Sequence, residues 1–265
     1  MKAAFLVTLL ALTAGISFAQ TKGERVRVVH VFVALADNDH QGIIPVPARL
    51  GNGTDPENNL YWGAAFGVKT YFGRSAQWQL VRASKDLRAD TVLERCVFKH
   101  RQLPLYLVAD AYKGERIKEA VSDFLASVAG RAEHDSIAIS ESSKPIGKLA
   151  CTDDLVVYVG HEGLMDFALP IRDLRGDSTG KQAIILACMS RQYFSRQLTG
   201  LKADPVLWTT GLMAPEAYTL HAAVQCWGEG KSREEIRTEA AAAYDHFQHC
   251  SVTAAKRLLV TGFGH

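Results

Sequence analysis

The chain has 265 residues, 48% of them hydrophobic, and a formal net charge of +2 with its charged residues spread evenly. That length and apolar content suit one sizeable core, or at most two small ones. No basic stripe or aromatic-interleaved Lys/Arg patch occurs, so nucleic acid is not an expected partner. Composition describes an ordinary soluble globular domain and goes no further.

The first segment is an address. Lys2 precedes an apolar run from Ala3 to Ile16, and Ser17-Phe18-Ala19 places small residues three and one before a cut after Ala19. This is the layout of a secretory signal peptide. A single membrane anchor fits less well, because the run is short and holds Thr8, Thr13 and Gly15. No Cys stands at the cut, which argues against a lipoprotein. Residues 1–19 are therefore read as a signal peptide and 20–265 as a single exported α/β domain, periplasmic or extracellular, without a membrane span.

Val26 to Ala36 reads as a first buried strand, stopped by the polar cluster Asp37-Asn38-Asp39-His40. Pro45, Pro47, Gly51 and Gly53 mark a long loop. Thr54-Asp55-Pro56-Glu57 has the form of a capping box, which predicts a helix from Pro56 to Phe72 ending at Gly73. Trp78 to Ala83 and Val92 to Lys99 read as two half-buried strands of a hairpin, and Leu103 to Ala109 as a buried strand. From Gly114 to Gly130 an amphipathic helix is expected, with Ile117, Val121, Phe124, Leu125 and Val128 on one face. Arg131 to Cys151 is polar and reads as an exposed connection.

Two continuous apolar runs follow. Leu155-Val156-Val157-Tyr158-Val159-Gly160 leads into His161, and Ala183-Ile184-Ile185-Leu186-Ala187 leads into Cys188. Such runs are strands buried on both faces, as in a parallel sheet. Leu164 to Lys181, between them, reads as loop. Ser190 to Leu201 is a helix, Val206 to Leu212 a strand and Pro215 to Trp227 a helix. Ser232-Arg233-Glu234-Glu235 caps a last long helix through His249, and Arg257 to Thr261 is an edge strand. Alternating strands and helices predict an α/β fold, a three-layer α/β/α sandwich around a mostly parallel central sheet.

In parallel sheets, function gathers beyond the carboxyl ends of the strands. An imidazole and a thiol delivered to that edge are the parts of a cysteine nucleophile and its base. Helix amino termini favour thiolates, and Met189-Ser190 leads from Cys188 into a helix. The amides of Cys188 and Gly163 are candidate donors to an oxyanion. Asp37 and Asn38 end another strand on the same edge, where they could orient His161, line the pocket or simply form an Asx-turn.

Competing chemistries are weaker. Glu162 and Asp166 beside His161 suggest a metal, but no H-E-x-x-H spacing occurs, so no metal or other cofactor is expected. His246, His249 and Cys250 share a helical face, with His221 and Cys226 on the preceding helix. Zinc ligation and helix packing with a Cys226–Cys250 disulfide both account for them, the second better. Residues 176–181 resemble a phosphate loop only superficially, since Gln182 stands where Ser or Thr is required. The cysteines are Cys96, Cys151, Cys188, Cys226 and Cys250, an odd count. If Cys188 is free, the other four allow three pairings; all five could equally be reduced and buried.

The two strand ends, Val156-Val157-Tyr158-Val159-Gly160-His161-Glu162-Gly163 and Ile184-Ile185-Leu186-Ala187-Cys188-Met189-Ser190, resemble the caspase, legumain and gingipain superfamily of cysteine peptidases (clan CD). The Ala-Cys-x-Ser start, with Phe194 after it, is most similar to the legumain branch. The resemblance implies a caspase-like fold and a protease that cleaves peptide or protein substrates. It assigns Cys188 as nucleophile, His161 as general base and acid, and Gly163 as oxyanion donor. Thr210 and Glu216 lie where that branch has part of its substrate pocket. Glu162 departs from the pattern, in which Gly directly follows His. The segments Asp37-Asn38-Asp39-His40-Gln41-Gly42 and Asn58-Asn59-Leu60-Tyr61-Trp62-Gly63 are also similar to an uncharacterised family of bacterial exported proteins. The alternative reading keeps the fold as a catalytically inactive binding or interaction module of the cell envelope, with Cys188 as packing. A different thiol acyltransferase or amidase on the same scaffold is a third.

Overall fold

The computed structural model describes residues 25–88, 90–131, 137–141, 144–149, 153–170 and 181–264. The signal-peptide segment, Cys151 and the loop-like run 171–180 lie outside the described residues.

The main sheet is built in chain order from β1 (Arg27–Ala34), β2 (Trp78–Arg88), β3 (Val92–His100) and β4 (Leu105–Tyr112). β7 (Leu155–Val159), β8 (Gln182–Leu186), β9 (Asp204–Thr209) and β10 (Leu259–Val260) complete it. The helices are α1 (Val68–Arg74), α2 (Ile117–Val128), α3 (Ser190–Gly200), α4 (Ala217–Gly228), α5 (Arg233–Gln248) and α6 (Val252–Leu258). The sheet order is β10-β9-β8-β7-β1-β4-β3-β2. β4, β1, β7, β8 and β9 run parallel, while β10 and the β2–β3 hairpin add antiparallel edges.

Side-chain alternation in the central strands explains the layers. Val29, Val31 and Val33 of β1, Leu155, Val157 and Val159 of β7, and Ile184 and Leu186 of β8 face one core, shared with α1, α4, α5 and α6. Phe32, Val156, Tyr158, Ala183 and Ile185 face the other, shared with α2 and α3. With both faces covered, the strands need apolar residues at every position. The α/β class and its helix-covered sheet thus match the expectation from sequence.

Four local expectations are corrected. No helix runs from Pro56 to Phe72; turns occupy 54–66 and only α1 is helical. Asn and Asp side chains take the backbone partners there. Asp55 Oδ1 accepts from the Glu57 amide. Buried Asn59 receives the amides of Ala36 and Tyr61 and donates to the carbonyls of Ala36 and Asn52. Second, the polar stretch after Arg131 includes a two-stranded hairpin, β5 (Ile137–Glu141) with β6 (Lys144–Leu149). Third, the expected strand 206–212 ends at Thr209, where the chain turns into the 210–214 loop. Fourth, Arg257 and Leu258 close α6, leaving β10 two residues long.

A buried charge cluster ties three strands together at the level of mid-β1. His30 Nε2 lies 2.9 Å from Asp110 on β4, and its Nδ1 lies 3.4 Å from Asp153, just before β7. Arg95 on β3 forks onto Asp110 at 2.6 Å through two nitrogens, and Ser127 of α2 donates to Asp153. Burial opposes charge on His30, but Asp153 and Asp110 outweigh it and hold the imidazolium up to about 9. Burial likewise opposes charge on Asp110, and the Arg95 and His30 bonds overcome it, holding the carboxyl down to about 2.

The folded-state pKa of His30 lies above its unfolded value of about 6.5. The stabilisation is therefore complete below pH 6.5 or so and disappears as pH rises through about 9. Thermal melts from pH 6 to 10 are expected to show a falling midpoint that His30→Gln flattens. The variant should also lose about 3–5 kcal/mol in a urea titration near neutral pH, as for a broken buried pair. A pH profile unchanged by the substitution would contradict the assignment.

Candidate active site

The carboxyl ends of β1, β7 and β8 share one edge, and the chain order there reverses. From β1 the chain leads to β4 on one side, then returns to β7 on the other. Such a topological switch point opens a crevice between strand ends. β7 and β8 are in parallel register, with Val159 opposite Leu186, and the Gly160 amide donates to the Leu186 carbonyl at 3.2 Å. Two residues beyond the Val159–Leu186 pair, each chain reaches a reactive side chain just past its strand end, His161 after β7 and Cys188 after β8.

Cys188 is held at a sharp strand-to-helix turn. Met189, which follows it, has φ 49° and ψ 29°, a left-handed conformation uncommon for a side chain of this kind. Its amide donates to the Gly211 carbonyl at 2.8 Å. Beneath the turn, Ser190 and Thr209 form a fully buried pair. The Ser190 amide donates to Thr209 Oγ1 at 3.1 Å and the Thr209 amide to Ser190 Oγ at 2.9 Å. Ser190 Oγ also reaches the Ile185 carbonyl, and Thr209 Oγ1 donates to that of Ala187. The turn therefore keeps its shape by bonds made below Cys188.

The Cys188 sulfur is half-buried and faces the 210–214 loop. It accepts the Met213 amide at 3.4 Å and donates toward the Met213 carbonyl at 3.6 Å. The Cys188 amide makes no hydrogen bond among the described residues. Burial first, then the nearby Cys188 and Glu216, push the Tyr61 phenol above its ordinary range. Tyr244 is raised mainly by burial, with Cys250, Cys188 and Glu216 contributing. Tyr61, Tyr244 and Glu216 thus share the surroundings of Cys188. Glu216 is itself raised by burial, and accepts from Tyr218 at 3.0 Å and Gln248 at 3.4 Å.

His161 is buried, with its ring against the loop that follows β1: a methyl added at Gly42 would lie 3.7 Å from Nε2. Nε2 is 2.8 Å from Asp166 Oδ2, and Nδ1 makes no hydrogen bond among the described residues. No hydrogen bond links His161 to Cys188 in this state; each holds a different partner. The His161 carbonyl accepts the Tyr158 hydroxyl at 2.8 Å and the Gly163 amide at 3.0 Å. The Gly163 amide, expected as an oxyanion donor, is therefore already engaged. Gly163 is required for packing, since a Cβ there would meet Phe167 at 2.7 Å.

Glu162 has no solvent exposure. Oε1 accepts the Leu164 amide at 3.2 Å and Oε2 has no partner. Burial, with Asp166 adding to it, pushes this carboxyl up to about 9, so it is protonated at neutral pH. A neutral side chain beside His161 is a poor cation ligand.

Neither Asp37 nor Asn38 hydrogen-bonds His161 among the described residues. Asp37 accepts the amides of Asp39 and His40 and pairs with the His40 ring at 2.9 Å. Asn38 exchanges bonds with Val46. Both build the loop, Asp37 through an Asx-turn and Asn38 by clamping it across to Val46. Thr210 bonds the carbonyls of Arg257 and Leu258 and so anchors the end of α6. His221 bonds Ser75, His246 meets Phe247 edge-on, and Cys226 and Cys250 are free thiols rather than a disulfide.

Residues that sequence reading assigned no part are Asp166 as the partner of His161, and Tyr61 and Tyr244 beside the sulfur. Asp166 is five positions from His161 and was noticed only as a metal candidate; the 3₁₀ turn Gly163–Met165 folds it back onto the ring. Nothing local in the sequence marks the two tyrosines.

If the Ser190–Thr209 pair holds the turn, Thr209→Val should destabilise the protein by about 1–3 kcal/mol, the cost of leaving buried donors and acceptors unmatched. Urea titration measures this, and a change below about 0.5 kcal/mol, as at an ordinary surface position, would remove the pair from its role. Comparison of the chain with models of known families, with characterised proteins and with solved structures found no match.

Proposed function

We propose that the chain is an exported cysteine peptidase-like hydrolase of caspase-like type, in which Cys188 is the nucleophile and His161 the general base and acid. The observation that supports this best is that the two residues directly follow the carboxyl ends of adjacent parallel strands, β7 and β8, next to the switch point. Asp166 on Nε2 is the positioning group, which leaves Nδ1 to carry the proton transfers.

In the forward reaction the Cys188 thiol gives its proton to His161 Nδ1, and the sulfur adds to the carbonyl carbon of a peptide bond. The oxyanion is received by the Cys188 amide. Collapse breaks the C–N bond, the amine leaves with the proton from His161, and a thioester remains. Water then loses a proton to His161 and attacks the thioester, releasing the acid and restoring the thiol. Glu216, which like Cys188 acts on the Tyr61 and Tyr244 phenols, is the side chain proposed to read a substrate residue.

Alkylation tests the dyad. Cys96 and Cys226 are buried, whereas Cys188 and Cys250 are half-buried. Iodoacetamide should therefore label Cys188 and Cys250 in the native protein. His161→Ala should slow labelling of Cys188 on the order of a hundredfold and leave Cys250 unchanged, as expected for loss of a general base. Equal slowing at both thiols, or at neither, would count against activation. A peptide-library profile that disappears in Cys188→Ala would support the hydrolase directly. Export predicts that the protein recovered outside the cytoplasm begins at Gln20, which amino-terminal sequencing reads.

A second reading, an inactive binding module of the cell envelope, draws on two observations. The Cys188 sulfur is engaged with Met213 through both backbone groups, and the Gly163 amide is engaged with the His161 carbonyl. That reading expects no peptide turnover and ordinary thiol reactivity at Cys188.

A further inference from the structure

A cavity of about 480 Å3 lies beside α1 and α4, lined by Ala65, Phe66, Tyr71, Arg74, Ser75 and His221. Neither Cys188 nor His161 is among its walls. Its size is that of a small-molecule pocket, and its make-up, mostly apolar with a few convergent polar groups, is what such pockets share.

The apolar wall is aromatic. Phe66, 38% exposed, packs edge-on to Phe247 at 5.0 Å and to Tyr218 at 5.9 Å. Tyr71 meets His221 in the same geometry at 5.5 Å. Another ring entering the cavity would extend this edge-to-face array, worth more than its buried area alone.

The polar side is unevenly satisfied. Ser75 Oγ accepts the Gln77 amide at 3.2 Å and is hydrogen-bonded to His221 Nε2 at 2.9 Å. Burial, then His100, push His221 down to about 4, which leaves it neutral at physiological pH. The Tyr71 hydroxyl and the Arg74 guanidinium, by contrast, make no hydrogen bond or ion pair among the described residues. Arg74 suits the last turn of α1, yet its five donors are unused. One planar cation and one phenolic donor at the rim of an aromatic cavity match one planar anion. A dianion would leave a charge uncompensated.

We propose that this cavity is a binding site for a small aromatic carboxylate, its ring against Phe66 and Tyr71 and its carboxylate bidentate on Arg74 with the Tyr71 hydroxyl as second donor.

Calorimetric titration of the full chain with 3-phenylpropionate tests this, with 3-phenylpropionamide and hexanoate as controls for charge and ring. The carboxylate should bind about tenfold tighter than the amide, as expected for a charge-assisted pair, and tighter than hexanoate. Arg74→Gln, at an exposed position, should reduce the carboxylate to the affinity of the amide and leave the amide unchanged. Phe66→Ala should weaken both aromatic ligands. Cys188→Ala should retain binding, which separates this cavity from the proposed dyad. Absence of saturable binding by 3-phenylpropionate, equal affinity for the amide, or full affinity in Arg74→Gln would overturn the proposal. Loss of binding in Cys188→Ala alone would move the ligand to the other site and overturn it equally.

Discussion

The parallel register of β1, β7 and β8 is the constraint on which the remaining structure depends. Each strand is apolar at nearly every position because helices cover both faces, so slipping by a residue exchanges two complete sets of core contacts. Fixing that register fixes the height at which each strand ends. His161 and Cys188 therefore each follow a strand end at the same edge of the sheet, with no hydrogen bond between them. The His30–Asp110–Asp153–Arg95 cluster reinforces the same alignment from inside, because its charges come from β1, β4, β3 and the approach to β7. A shifted strand would leave a charge buried and uncompensated, a far larger penalty than an imperfect apolar contact.

What was legible in the sequence followed from local pattern. The runs ending at His161 and Cys188 carry no polar residue, α2 shows its apolar face, and the Ser232–Glu235 capping box forms at the start of α5. The failures have a common cause, partners distant in sequence. Thr54 to Glu57 has the letters of a helix start, yet Asn59 answers to Ala36 and Asn52, and their bonds win over helical ones. The 137–149 hairpin was hidden by polar composition. In the site, the thiol and imidazole were evident, but the company they keep was not. Asp166 reaches His161 only because a 3₁₀ turn intervenes, and Tyr61 and Tyr244 arrive from other layers.

The neighbourhood of His161 is organised by proton economy rather than by charge accumulation. Glu162, which by sequence looks like a second anion beside the ring, is uncharged because no water reaches it. Asp166, half in solvent, is the carboxylate that faces the imidazole. Glu162 therefore adds no negative charge beside the ring, and the bond to Nε2 is made by Asp166.

Met213 makes the 210–214 loop sensitive to the sulfur it touches. A thiol can satisfy the Met213 carbonyl while accepting its amide; a thiolate keeps the amide and repels the carbonyl. Removing or replacing that single proton therefore changes which rotation of the 213 peptide is favoured. The adjoining Ala214 amide is tied to Tyr244 and, through it, to α5. The state of one atom at the sheet edge is in this way coupled to a helix in the outer layer, and by reciprocity anything that grips the helix is felt at the sulfur.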